Sequence, residues 1–299
     1  MTTGNSAAAA RPGILNWRLQ ARLARRAARR AAQMARFRRV SLAGAPILFA
    51  NSFPKSGTHL LTQALSGMTK VGPAVESGLP AVVMFDGPSG ILRPLERIMV
   101  DLRRFLPGDI GYGHLHAIPE IMVFMRQAQM ATYFILRDPR DVVVSHVHYV
   151  TEMAPNHVHH LYYTQELHSF DERLRVSILG RPELGTAFPD IRARFAPYLP
   201  WLDQPDVLTL HFEDFIHQRR AALGQVLDFA VQRGFPLQAE HAEAVTVLEH
   251  SINPQRSPTF RQGRTGGWRA QFTDEHKQLF KAVSGDLLTR LGYETDDDW

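Results

Sequence analysis

A chain of 299 residues, 44% hydrophobic and 21% charged, can bury the core of one large α/β domain or two smaller ones. It contains no cysteine, which excludes disulfides, thiol nucleophiles, thiolate zinc sites and cysteine-held iron–sulfur clusters, and suits a reducing compartment. No apolar run approaches the roughly 18 residues that a membrane span requires.

The net charge of +5 is unevenly spread. Residues 1–40 carry ten arginines and no acid, the first acidic residue being Glu76; subtracting those ten leaves the remainder at −5. Residues 14–39 lack Pro and Gly and are largely Ala, Arg and Leu, which predicts one long helix. Leu15, Leu19 and Leu23 recur every four residues, and Arg18, Arg22, Arg25 and Arg29 form a separate row, so the helix is basic and amphipathic. Three uses compete: lying on an anionic membrane, touching a polyanion, or packing on its own domain. The arm reads as neither a transit peptide, for want of Ser, nor a secretory signal, for want of an apolar stretch. A cytoplasmic location, with peripheral membrane contact through residues 14–39, is the expectation.

From residue 46 short apolar runs alternate with helical periodicity, the pattern of an α/β fold. Residues 47–51 read as a buried strand followed by a helix over 57–68; residues 133–136 read as a second strand with a helix over 139–149, and 207–211 as a third strand. The Gly/Pro-rich stretches 72–90 and 180–205 read as loops around one core, making residues 41–299 a single domain that carries residues 1–40 as an arm. The last helix opens at the N-cap Thr273 and is expected to reach about Leu291, leaving residues 296–299 as a solvated tail.

The segment Asn51-Ser-Phe-Pro-Lys-Ser-Gly-Thr-His-Leu60 lies between a predicted strand and helix, where α/β folds bind anions. Gly57 permits close backbone approach, Ser56 and Thr58 add hydroxyls, Lys55 adds charge, and the helix start offers unpaired N–H groups. The spacing is not that of a Walker A loop, which disfavours an Mg-dependent ATP or GTP enzyme. Leu136-Arg-Asp-Pro-Arg-Asp-Val-Val-Val-Ser145 repeats the strand-to-helix arrangement. Its Arg137 and Ser145, eight residues apart, can hold one phosphate between them, unless Arg137 is taken by Asp138 or Asp141. Phe260-Arg-Gln-Gly-Arg-Thr-Gly-Gly-Trp268 is a Gly- and Arg-rich loop before the last helix.

In this order the three segments resemble the sulfotransferases that use 3′-phosphoadenylyl sulfate (PAPS). The resemblance spans residues 47 to about 273, including Val247-Leu-Glu-His-Ser-Ile252 as the helix before the loop. It implies a three-layer α/β sandwich with a central, mainly parallel sheet flanked by helices, plus the N-terminal basic helix. It also implies a donor site of Lys55, Ser56, Gly57, Thr58, His59 and Leu60 for the 5′-phosphosulfate, with Arg137, Ser145, Arg261, Gln262 and Gly263 for the 3′-phosphate. Three positions depart from the family pattern: Gln262 stands in place of Lys, Leu60 in place of Trp, and Phe212 in place of Tyr.

Sulfuryl transfer to an alcohol needs a base, and histidine is neutral yet basic near neutral pH. Tyr112-Gly-His-Leu-His-Ala-Ile-Pro119 resembles the family's THLP stretch. It aligns best with His114, with His116 the alternative and both pointing the same way if the segment is a strand end. Lys55 is then the group that stabilises the departing phosphate oxygen. His146, His148, His157, His159 and His160 crowd together without an H-E-x-x-H pattern or carboxylate partners, and no metal is expected.

The expected reaction transfers the sulfuryl group of PAPS to a hydroxyl or amine. The acceptor is a glycan, a lipid or a small-molecule alcohol, chosen by loops at 72–95 and 150–170 that carry Met84, Phe85, Met153, Tyr162 and Tyr163. A nucleotide phosphotransferase and a non-enzymatic, membrane-associated nucleotide-binding scaffold are the rivals. Nucleic acid is not an expected partner, and the arm also offers a homodimer contact.

Overall fold

The computed structural model describes residues 12–181, 183, 188–257 and 263–299. Six strands are present: β1 (Ile47–Ser52), β2 (Val75–Glu76), β3 (Val82–Val83), β4 (Asp109–His114), β5 (Met130–Leu136) and β6 (Val207–His211). They form one parallel sheet in the order β2-β4-β1-β5-β6, and β3 also pairs with β4. The helices are α1 (Pro12–Arg36), α2 (Thr58–Val71), α3 (Leu95–Leu102), α4 (Pro119–Met125), α5 (Pro139–His148), α6 (Phe170–Leu179), α7 (Ile191–Phe195), α8 (Phe212–His217), α9 (Arg219–Gln232), α10 (His241–Ser251), α11 (Asp274–Ser284) and α12 (Leu287–Arg290).

The strand sequences explain the layers. Successive side chains alternate between faces, so Ile47 and Phe49 of β1 join Met130, Phe134 and Leu136 of β5 on the face that packs against α5, α6 and α11. Leu48 and Ala50 join Ala131, Tyr133 and Ile135 on the other, against α2, α9 and α10. Both faces are covered, hence the near-continuous apolar runs and the three-layer sandwich. β1 sits between β4 and β5 in register, Asn51 beside Gly113 and Ser52 beside Ile135. The chain leaves β1 toward one edge of the sheet and returns to β5 on the other side, so the crevice at the carboxyl end of β1 is the topological switch point where such sheets bind ligands.

Three sequence expectations need correction. The stretches 72–90 and 180–205, expected to be loops, hold β2 and β3 in the first and α7 in the second. The last helix stops at Ser284, breaks at Gly285, where φ is +54°, and resumes as α12. The final residue is not a solvated tail: the Trp299 ring packs 4.5 Å from the Arg140 guanidinium and 5.5 Å from the Trp268 ring.

Helix α1 is docked on the body by its arginines. Arg22 and Arg29 donate to the carbonyls of Gly78 and Glu76, and Gln33 and Arg36 to those of Thr69 and Lys70. Arg26 and Arg30 grip Asp109, at the start of β4, at 3.1 and 2.9 Å. That carboxylate has no solvent exposure; removing its cationic partners strands a buried charge. Among the described residues no helix is long and apolar enough to cross a membrane. Replacing Arg26 and Arg30 together with Ala is expected to lower the unfolding free energy by about 3 kcal/mol in urea titration. The exposed Arg25→Ala is the control and should stay within about 0.5 kcal/mol.

Candidate functional site

The site is assembled where four strands end. After β1 the chain turns through Pro54-Lys55-Ser56-Gly57 into α2, and this turn carries two left-handed residues, Lys55 at φ +71° and Gly57 at φ +98°. A Cβ at Gly57 would lie 2.6 Å from Cδ2 of Phe212, the first residue of α8. Glycine is therefore required there by both backbone and space. The first turn of α2 leaves N–H groups without intrahelical acceptors at the turn, and the Ser56 hydroxyl is buried with no hydrogen-bond partner. Thr58 is also buried, its Oγ1 2.6 Å from Ser52 Oγ. The loop thus presents donors and one lysine, a set suited to an anion.

His114 closes β4 beside Ser52. Its Nδ1 lies 3.1 Å from the Ser52 carbonyl and 3.0 Å from Ser52 Oγ. A carbonyl only accepts, so Nδ1 carries the proton and Nε2 keeps its lone pair. Burial, with the charges of His59 and Lys55, brings the His114 pKa down to about 4 against the opposing pull of the Ser52 carbonyl. The ring is neutral at physiological pH. His59, in the first turn of α2, is also held below its ordinary value by burial and by Lys55.

Asn51 fixes the backbone immediately after His114. Its amide bonds both backbone groups of Leu115, Oδ1 accepting from N at 2.8 Å and Nδ2 donating to O at 3.1 Å, while Trp201 Nε1 donates to the same carbonyl. The strand ends at His114, so the alternation expected to turn His114 and His116 the same way does not reach His116. The His116 ring instead packs edge-on against Tyr198 and Phe85, at 4.8 and 5.6 Å, and burial lowers its pKa to about 4.

Arg137 follows β5 and lies 4.7 Å over the Phe212 ring. Phe212 therefore touches both Gly57 and Arg137, packing the two candidate anion-binding segments against one side chain. Arg137 Nη2 donates to the Arg264 carbonyl at 2.8 Å and to Asp141 at 3.3 Å, so the Asp141 pairing is present, while Nε is buried without a partner. Asp141 also accepts from the backbone of Gly266 and Trp268, tying the Gly-rich loop to α5. Arg140 lies between the Trp268 and Trp299 rings and pairs with Asp138 and Glu294. Ser145 is half-buried on α5, and Gly263 opens the described part of the loop at φ +60°. Arg261 and Gln262 lie outside the described residues.

Lys55 reaches the end of α5, where its Nζ sits 4.0 Å from the ring centre of Tyr149, the first residue of a π-helical turn, Tyr149–Met153. The histidine cluster lies beyond. His146 meets Ser177, His148 meets Glu152, and His160 meets the Val150 carbonyl. No group of three or more His, Asp or Glu among the described residues is placed to hold a metal ion. The sequence reading passes over Asn51, Ser52 and Tyr149, and names Asp141 only as a partner for Arg137. The first two are visible as polar residues closing a wholly apolar strand; nothing in the sequence distinguishes Tyr149.

Comparisons with known proteins bear on the fold and the family. No curated protein sequence matches the chain. The solved structure of mouse sulfotransferase SULT7A1 complexed with PAP is similar, at 19% identity over 84% of this chain and 88% of that one, with a TM-score of 0.55. Retinol dehydratase, solved with androsterone and the inactive cofactor PAP and again with retinol and PAP, is similar at 16% identity, 83% coverage of both chains and a TM-score of 0.53. At these identities the structures establish the shared fold. The family model described as the sulfotransferase domain matches residues 47–292, spanning the sheet, the turn after β1 and the Gly-rich loop: the chain belongs to the sulfotransferase domain family.

Proposed function

We propose that the protein is a PAPS-dependent sulfotransferase that moves a sulfuryl group to a hydroxyl, or an amine, of an acceptor by in-line displacement. The observation that carries this is the turn after β1, where a buried, unpartnered Ser56 hydroxyl and Lys55 lie beside a neutral His114. The residues suit a nucleotide donor with two separate anionic groups. Gly57 lets the Phe212 ring close against the turn, and both Ser56 Oγ and Arg137 Nε are buried donors without partners. Lys55, Ser56, Gly57 and Thr58, with His59 and Leu60 behind them, would hold the 5′-phosphosulfate. Arg137 and Ser145, with Arg261, Gln262 and Gly263, would hold the 3′-phosphate. The relatives solved with PAP support the same donor.

Bound PAPS supplies the sulfuryl group and leaves as PAP. His114 accepts the acceptor's proton at Nε2, while its Nδ1–H bond to Ser52 locks the tautomer and orientation. Lys55 offsets the charge that gathers on the departing phosphate oxygen, and the start of α2 adds its N–H groups. Catalysis then rests on positioning and fixed charge. His116 is the alternative base; its contacts with Phe85 and Tyr198 favour a place in the acceptor wall instead. Among glycan, lipid and small-molecule alcohols, that aromatic group favours a small apolar alcohol. The retinol and androsterone held by retinol dehydratase support that class.

Calorimetric titration with PAP is expected to show metal-independent binding that Lys55→Ala and Arg137→Ala each weaken by about tenfold or more. Failure to bind PAP, or preference for Mg-ATP, overturns the reading in favour of a phosphotransferase. A second expectation comes from the His114 pKa. The base stays neutral down to about pH 4, so kcat/KM for PAPS should hold steady through pH 6.5 and fall only as pH approaches about 4. An acid limb centred near 6.5 would mean that an ordinary histidine does the work.

A further inference from the structure

Lys55 combines two features that the proposed reaction does not by itself explain. Its backbone is held at φ +71°, a conformation costly for a residue with a Cβ. Its ammonium lies 4.0 Å from the centre of the Tyr149 ring, within cation–π range. Tyr149 is delivered there by a change of helix type: α5 ends at His148, and the next five residues form a π-helical turn that begins with Tyr149. Such turns are rare and occur mostly at functional sites. The Tyr149 ring also meets the His157 ring edge-on at 5.9 Å.

We propose that Tyr149 is a positioning residue for Lys55. A lysine side chain has four rotatable bonds, and left unbraced it pays rotamer entropy each time its ammonium is fixed on a ligand. The ring removes part of that cost before any anion arrives and does so without an acid. A carboxylate in the same place would neutralise the charge the site needs, whereas an aromatic face attracts the ammonium through its quadrupole and leaves it positive. The π-turn brings the ring to the lysine, and Tyr149 immediately precedes the 150–170 segment. The inference deepens the sulfotransferase reading and rests on it, since Tyr149 acts only through Lys55.

Two measurements test it, and neither needs the acceptor. The chain has four lysines, Lys55, Lys70, Lys277 and Lys281, so lysine-selective 13C labelling gives four ε-methylene signals, with Lys55 assigned by its loss in Lys55→Arg. Lys281, which lies 5.0 Å from the Trp299 ring, is an internal reference for a ring-shifted lysine. The Lys55 signal should be shifted upfield by the ring current, keep that shift in Tyr149→Phe, and lose it in Tyr149→Leu. A Lys55 signal at the random-coil position in the unsubstituted protein overturns the proposal.

The second measurement is a double-mutant cycle on PAP affinity by calorimetry. Tyr149→Leu should weaken PAP binding about threefold to tenfold, Tyr149→Phe should restore it to within about twofold, and Tyr149→Leu should have no further effect when Lys55 is already Ala. Additive losses, or equal damage from Phe and Leu, overturn the positioning role while leaving the sulfotransferase reading intact. Tighter PAP binding in Tyr149→Leu overturns it too, because the ring would then be restraining Lys55 from the ligand. Absence of PAP binding in the unsubstituted protein removes both readings together.

Discussion

The whole arrangement depends on the hold that Asn51 has on Leu115. β1 is the central strand, and Asn51 near its end is buried, so its amide must find partners inside the protein. It finds both in the backbone of one residue on the neighbouring strand's exit. That single exchange fixes where β4 stops pairing and keeps His114 level with Ser52, three residues before Lys55. A backbone departing from β4 by another path would carry the imidazole away from the Ser52 carbonyl, and the tautomer would no longer be defined.

Charge is distributed around this point with an economy that burial enforces. Lys55 and Arg137 bring positive charge to the crevice, while the histidines nearest to it are kept neutral by desolvation. Protonating His114 would place a charge where burial withholds its solvation, with Lys55 adding a smaller repulsion, and the depressed pKa is the thermodynamic statement of that cost. The carboxylates beside the crevice organise cations and backbone. Asp141 steadies Arg137 and two amides of the Gly-rich loop, and Asp138 caps α5 while pairing with Arg140. At the far end of β4 the same economy runs in reverse, with a buried acid, Asp109, collecting two arginines of α1.

Much of this is legible in the residues alone. The apolar runs at 47–51 and 133–136 become β1 and β5 because a strand buried on both faces has few sequence alternatives. The strand at 207–211 and the turn with Lys55, Ser56 and Gly57 are equally plain. Less is visible where tertiary contacts override local pattern. β2 and β3, each two residues long, exist only as partners for the edge of β4. The break at Gly285 sits inside an otherwise continuous helical pattern, and the acidic run before Trp299 conceals a ring stacked on Arg140. The role of the arm is open in the sequence because its arginine row fits an anionic surface as well as it fits backbone carbonyls. Only geometry shows that Arg22, Arg26, Arg29 and Arg30 are engaged by the body.

The Phe212 ring has a consequence for how the protein reaches its native state. It begins α8 directly after β6, the edge strand and the last to be added in sequence order. Until β6 joins β5, the ring that packs against Gly57 and under Arg137 is missing, and the turn after β1 and the Arg137 segment have nothing between them to set their spacing. A partly folded chain with β1, β4 and β5 in place would carry Lys55 and Arg137 and still lack the ring that sets their spacing. A nucleotide that binds only the completed crevice would then favour the fully assembled sheet by mass action. The substrate pool of the cell would act on this protein as a brace for its last strand as well as a source of sulfuryl groups.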